Sequence, residues 1–224
     1  MGARRAAKTR RPRRLWWAVL AAVAALVTAS VVVSGLGSEP DQRPAATPTP
    51  TPTPTPVRDV DLSGLPIPRV RFCDLIGDSA LPRALGGTVT KQAHYDSGDR
   101  AELAPGVTDV SHEYSCTFVG VTGAEARAWV FAAPMRPATA QPLVRQVSQA
   151  QGCRTVRGGP TYGHPSVTTL CAVHGPATQV TLRGLFGDAW FSCELTRPGR
   201  AEFRTRRLAE QWCVHVATTL GARP

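Results

Sequence analysis

Few side chains in this 224-residue chain are placed for acid–base, nucleophilic or metal chemistry. The histidines are His94, His112, His164, His174 and His215, and none stands in H-x-x-x-H or H-E-x-x-H spacing. His112-Glu113 lacks the second imidazole that a helical zinc protease site needs. Ser166 follows Gly163-His164-Pro165 and Ser192 sits in Phe191-Ser192-Cys193, so neither occupies the G-x-S-x-G turn that exposes a nucleophilic serine. Glycosidase chemistry needs two carboxyl groups facing one cleft. Asp188 and Glu194 flank one apolar segment, but Asp188 falls in a Gly-Asp turn. Gly184 and Gly187 read as turn glycines, not as a phosphate cradle. The expectation is a protein with no catalytic residue, no metal and no cofactor.

Two other groups of residues are more informative. Arg127, Trp129 and Phe131 alternate along one segment and so share one face of a strand. Such a face is either a stacking surface for a sugar or peptide, or a surface covered by a helix. The six cysteines, Cys73, Cys116, Cys153, Cys171, Cys193 and Cys213, contain no C-x-x-C pair, which removes zinc-ribbon and thioredoxin-type readings. All six follow a long apolar segment, and an even count in an exported domain reads as three disulfides. Bonded cysteines are not nucleophiles, which excludes Cys-His catalysis.

That apolar segment is Leu15 to Leu36, LWWAVLAAVAALVTASVVVSGL, uncharged over 22 residues. As a helix it spans about 33 Å, enough to cross the hydrocarbon core of a bilayer. Seven basic residues and no acidic one precede it, which predicts a cytoplasmic N-terminus and export of everything after it. A cleaved signal peptide is the competing reading, with Val33-Ser34-Gly35 as an acceptable cleavage sequence. The run exceeds the apolar length of such peptides, so a retained single-pass anchor is expected. The formal charge of +10 therefore divides unevenly: the first 14 residues hold +7, leaving +3 for the rest. That is an ordinary surface, and it gives nucleic-acid binding no support.

The chain then divides into a basic tail (1–14), a transmembrane helix (15–36), a Thr/Pro-rich stalk (37–56) and an extracytoplasmic domain (57–224). Alternating Thr-Pro from Thr47 to Pro56 forbids a helix and favours polyproline II, a semi-rigid spacer. Within the domain, a helical segment is expected from Cys73 to Gly86-Gly87, and strands at Thr88–Tyr95, Ser111–Val121 and Ala124–Ala133. Asp96 to Asp109 reads as a polar loop. A helix over Ala140–Gln151 is followed by strands at Val167–His174, Thr178–Phe186 and Ala189–Leu195, and by a helix over Ala201–Leu220. Short turns between successive strands require antiparallel pairing. The fold class is α+β: one antiparallel sheet of about six strands, with helices packed on one side and disulfides stapling it.

Six cysteines allow 15 pairings. Cys193 shares the apolar face of its strand with Phe191 and Leu195, and Cys213 lies in the stripe Ala209, Trp212, Val216 that must cover such a face. Cys193–Cys213 is therefore expected. Cys116 shares an inward face with Tyr114 and Phe118, which the segment opened by Cys73 needs, giving Cys73–Cys116 and leaving Cys153–Cys171.

Phe72-Cys73-Asp74-Leu75-Ile76, Tyr114-Ser115-Cys116-Thr117-Phe118, Trp190-Phe191-Ser192-Cys193 and Trp212-Cys213-Val214-His215-Val216 resemble segments of a group of actinobacterial exported envelope proteins of unknown function. The resemblance implies a membrane-anchored α+β domain on the outer side of the cell membrane, and it brings no catalytic residues. The function expected is non-catalytic binding of an envelope partner, a wall polymer or a small ligand, with Arg127, Trp129 and Phe131 as candidate ligand surface. The partner predicted for Leu15–Leu36 is the membrane. The alternatives are a subunit or regulator of a membrane complex, and a hydrolase acting on envelope material.

Overall fold

The computed structural model describes residues 55–222 apart from Asp78, Pro105 and His174; the Leu15–Leu36 segment and the stalk before Thr55 lie outside them. Among the described residues no helix is long and apolar enough to cross a membrane. In chain order the strands are β1 (Val89–Tyr95), β2 (Arg100–Ala104), β3 (Val107–Val110), β4 (Glu113–Gly120), β5 (Glu125–Phe131), β6 (Cys153–Thr155), β7 (Ser166–Val173), β8 (Ala177–Phe186) and β9 (Ala189–Pro198). The helices are α1 (Leu81–Leu85), α2 (Pro137–Ser148) and α3 (Glu202–Gly221). Seven strands form one antiparallel sheet in the order β1-β4-β5-β9-β8-β7-β6, and β2 with β3 forms a separate two-stranded ribbon.

The expected architecture holds with four differences. The sheet gains β6, whose three residues are too short to carry a period-two pattern. The polar loop Asp96–Asp109 is in fact the β2–β3 ribbon, turned at Gly106 with φ of +73°. The helical segment from Cys73 is broken into a 3₁₀ turn, Cys73–Leu75, and α1. Pro82 lacks an N–H and fits the first turn of α1, while Gly86 ends it in the left-handed conformation with its N–H on Pro82 O at 2.9 Å. Finally, the helices do not all lie on one side. α3 covers one face of β8 and β9, whereas α2 packs on the other, through buried Ala140 with Leu143 and Val144 against Leu185, Trp190 and Phe131. The reason is local: at this end β8 and β9 carry apolar side chains on both faces, Phe186 and Phe191 on one, Leu185 and Trp190 on the other.

The main core lies between the sheet and α3. Cys116, Phe118, Ala126, Ala128, Val130, Val180, Leu182, Phe191, Cys193 and Leu195 alternate inward along four strands and are buried. Trp212, Cys213, Val216 and Leu220 meet them from α3, with the Trp212 ring edge-on to Phe118 at 6.1 Å. All three expected disulfides are present: Cys73–Cys116, Cys153–Cys171 and Cys193–Cys213. The last joins strand to helix across the layer at a Cα separation of 5.5 Å.

Gly184 is not a turn glycine. It lies inside β8, and a Cβ there would stand 1.7 Å from Tyr162 O. The backbone of Tyr162 and Gly163 crosses the strand at this point, which puts the buried Tyr162 ring against Phe186 and Phe191. Gly187, with φ of +61°, is the turn glycine between β8 and β9.

A polar sheet face as the candidate binding site

Strand alternation gives the sheet a second face, and its chemistry is the reverse of the first. The register sets its side chains in transverse rows. One row runs across every strand of the sheet: Ala93 on β1, Thr117 on β4, Arg127 on β5, Glu194 on β9, Thr181 on β8, Thr169 on β7 and Thr155 on β6. The next row holds Tyr95, Ser115, Trp129, Ser192 and Arg183. Neighbouring members of a row are about 4.8 Å apart, the strand spacing.

Arg127 is the hub of the β1–β4–β5 end. Its Nη2 donates to Tyr95 Oη at 2.7 Å and lies 3.3 Å from Glu113 Oε1, and its Nε donates to Ser115 Oγ at 3.3 Å. Tyr95 Oη donates in turn to Glu113 Oε1. The guanidinium carbon stands 4.6 Å from the Trp129 ring centroid, a cation–π contact. Burial, reinforced by Glu113, pushes the Tyr95 hydroxyl above its ordinary pKa. On β8 and β9, Thr181 Oγ1 donates to Glu194 Oε2 at 2.9 Å, and Arg183 Nη1 donates to Thr169 Oγ1 at 3.1 Å. Burial raises the Glu194 carboxyl above its usual range against the opposing pull of Thr181, Arg183 and Arg127, and burial also lowers Arg183. Ser192 is 1% exposed and its Oγ finds no partner among the described residues.

Two elements wall this face. α2 covers the Leu185–Trp190 end. At the other end the β2–β3 ribbon stands over β1, β4 and β5 and encloses an open cavity of about 610 Å³, bounded by Lys91, Tyr95, Thr117 and Arg127 below and by Arg100 and Glu102 above. Donors and acceptors of both charge signs meet there, with hydroxyls between them. Such an arrangement can exchange hydrogen bonds with a hydroxyl-bearing ligand, and its strands make it stiff.

The sequence-predicted surface divides at α2. Arg127 and Trp129 are partly exposed on the polar face, whereas Phe131 is packed against α2. The stacking reading applies to the first two, and the covering-helix reading to the third. Asp188 and Glu194 are six residues apart along a strand, about 20 Å, too far for a carboxyl pair. Asp188 instead pairs with Arg69 at the surface. The histidines are dispersed: His94 contacts Arg71 on the exposed side of β1, His112 and His164 are exposed, and His215 is on α3. No cluster of three metal-ligating side chains exists among the described residues. Tyr95, Thr181 and Arg183 are not singled out by the sequence, and Glu113, Ser192 and Glu194 are weighed there only as catalytic candidates. Their signal was the polar half of the alternation in β8 and β9, Gln179, Thr181, Arg183 and Ser192, Glu194, Thr196. No known family model matches the chain, and no curated protein matches it. The roles of these residues rest on their geometry.

Proposed function

We propose that this protein is a single-pass, membrane-anchored binding module whose polar sheet face holds a segment of a cell-wall glycan outside the cell. The observation that carries this is the row Thr117, Arg127, Glu194, Thr181, Thr169, a charged pair flanked by hydroxyls on a rigid floor, whose Thr117 and Arg127 open into the cavity beneath the β2–β3 ribbon while buried Thr181 and Thr169 back the charged pair. Its step of about 4.8 Å is commensurate with one hexose ring. Trp129 beside Arg127 supplies the flat apolar surface on which a sugar face stacks. Three disulfides suit an oxidising compartment, which supports the exported topology argued from the basic N-terminus. The Leu15–Leu36 helix anchors the domain in the membrane and the Thr-Pro stalk carries it outward. Binding is tested by co-sedimentation of the domain with purified cell-wall material. The wild type pellets; Arg127→Ala with Trp129→Ala stays in the supernatant, while Arg83→Ala, on α1 across the sheet, pellets normally. Equal pelleting of all three sinks the reading.

A second reading, a hydrolase of the same polymer, has one supporting observation. Glu194 is raised mainly by burial, with a further contribution from Glu125. A raised carboxyl beside a second one is the arrangement of a general acid. Release of reducing ends from wall glycan by the wild type but not by Glu194→Gln selects it; no release by either leaves binding alone.

A further inference from the structure

Away from the polar face, α3 begins with a surface whose composition fold stability does not explain. Phe203 is 80% exposed, the most open of the large apolar side chains among the described residues. Arg207, four residues on, shares its helix face, and Arg157 lines the same hollow; Arg204 is exposed on the adjoining face of the helix and Arg200 is exposed just before it. Three acids nearby are each matched to an arginine: Glu202 to Arg154 at 2.8 Å, Glu210 to Arg206 at 2.7 Å, and Asp59 to Arg58 at 3.6 Å. Arg157, Arg200, Arg204 and Arg207 form no ion pair among the described residues, so two uncompensated cations, Arg157 and Arg207, share the Phe203 hollow, and two more, Arg200 and Arg204, lie on its flank. Arg204 also sits in the first turn of α3, where cations are disfavoured by the helix dipole.

We infer that this patch docks on an anionic lipid surface, the arginines on headgroup phosphates and the Phe203 ring in the interfacial layer beneath them. Arginine suits this role because its planar fork binds phosphate oxygens in pairs. A basic stripe with an aromatic residue is the composition of surface-bound membrane helices. The position of the patch argues for the same occupant. Phe203 and Arg207 share a hollow of about 680 Å³ with Pro56 and Val57, where the chain arrives from the stalk. The patch is thus at the side of the domain tethered to the predicted membrane segment. Docking there holds that side of the domain against the membrane and leaves the polar sheet face as a separate site.

The test uses residues 51–224, which contain the whole described core and all three disulfides and form a compact unit by themselves. The protein is sedimented with vesicles of phosphatidylcholine alone and with an equimolar mixture of phosphatidylcholine and phosphatidylglycerol. Binding to the mixed vesicles only, weakening with added salt, is expected. Arg204→Ala with Arg207→Ala should lose roughly thirty-fold in affinity. Phe203→Ser should weaken binding, whereas Val121→Ser, at a turn and 60% exposed, should not. Both Phe203 and Val121 are too exposed to support the fold, and circular dichroism verifies it. Equal binding to both vesicle types, no binding, unchanged affinity of the arginine variant, or binding to soluble polyphosphate with none to vesicles would each overturn the inference. None of these outcomes bears on glycan binding by the other face.

Discussion

Replacing both Cys193 and Cys213 by alanine removes the disulfide that joins α3 to the sheet, and its cost can be worked out in two parts. The bond closes a loop of 20 residues. The chain-entropy relation, about 2.1 + 1.5R ln n in cal/mol/K, gives about 3 kcal/mol at 25 °C. Both cysteines are fully buried, so truncation also leaves voids in the core, roughly 1 kcal/mol for each lost sulfur. The sum is about 5 kcal/mol. Cys153–Cys171 provides the control: it closes a loop of 18 residues, so its entropic part is again about 3 kcal/mol, but it lies at the β6 edge, with Cys153 partly exposed. The assay is urea unfolding of the two alanine pairs beside wild type. Extrapolated free energies are compared, because losing a crosslink expands the unfolded chain and raises m. With Cys171 buried and Cys153 partly exposed, the Cys193/Cys213 pair should cost about 1 kcal/mol more than the Cys153/Cys171 pair. If the two costs are equal, tight packing of α3 on β9 is not part of what that disulfide secures, and the layer described above is wrong in its centre.

Gly184→Ala should cost more than about 3 kcal/mol or prevent folding, because its methyl meets the Tyr162 carbonyl, backbone that has no room to move; a shift under 1 kcal/mol by urea unfolding refutes the crossing. Glu194 is more readily protonated in the fold than in the unfolded chain, so its favourable contribution is complete below its ordinary value of 4.5 and is lost as pH rises through the raised folded value. Wild-type stability relative to Glu194→Gln should therefore fall from pH 4.5 upward, and a rise over that window would contradict the burial of the carboxyl. Arg127→Met leaves Glu113 and Tyr95 without their cation and should cost roughly 1–3 kcal/mol; a neutral result in thermal melts would mean the network is solvated and not preorganised.

The apolar half of this structure was legible because its period is simple. Phe191, Cys193 and Leu195 alternate, and Trp212, Cys213 and Val216 follow a helical stripe, so the sequence alone places the two sulfurs face to face. Arg127 and Trp129 were also visible, since strand alternation alone puts them on one side. The polar face was not. Its meaning comes from register: Arg127 meets Glu194 only because β5 pairs with β9, and α2, β6, β7 and β8 intervene between them in the chain. Nothing local encodes that crossover. α2 was found as a helix but placed on the wrong side, because Leu185 and Trp190 read as the outer positions of half-buried strands. The β2–β3 ribbon was missed for a different reason. Its strands are short and mostly exposed, so no hydrophobic alternation marks them, and only Pro105-Gly106 announced a turn.

The central claim is that glycan lies along the polar rows of the sheet, and amide chemical shifts of the isotopically labelled domain titrated with soluble peptidoglycan fragments test it most directly. Saturable shifts are expected for Thr117 and Arg127 and for the indole N–H of Trp129, with α3 unmoved. Shifts confined to α1 and α3, or none at fragment concentrations well above those that bind wall-recognition modules, would contradict it.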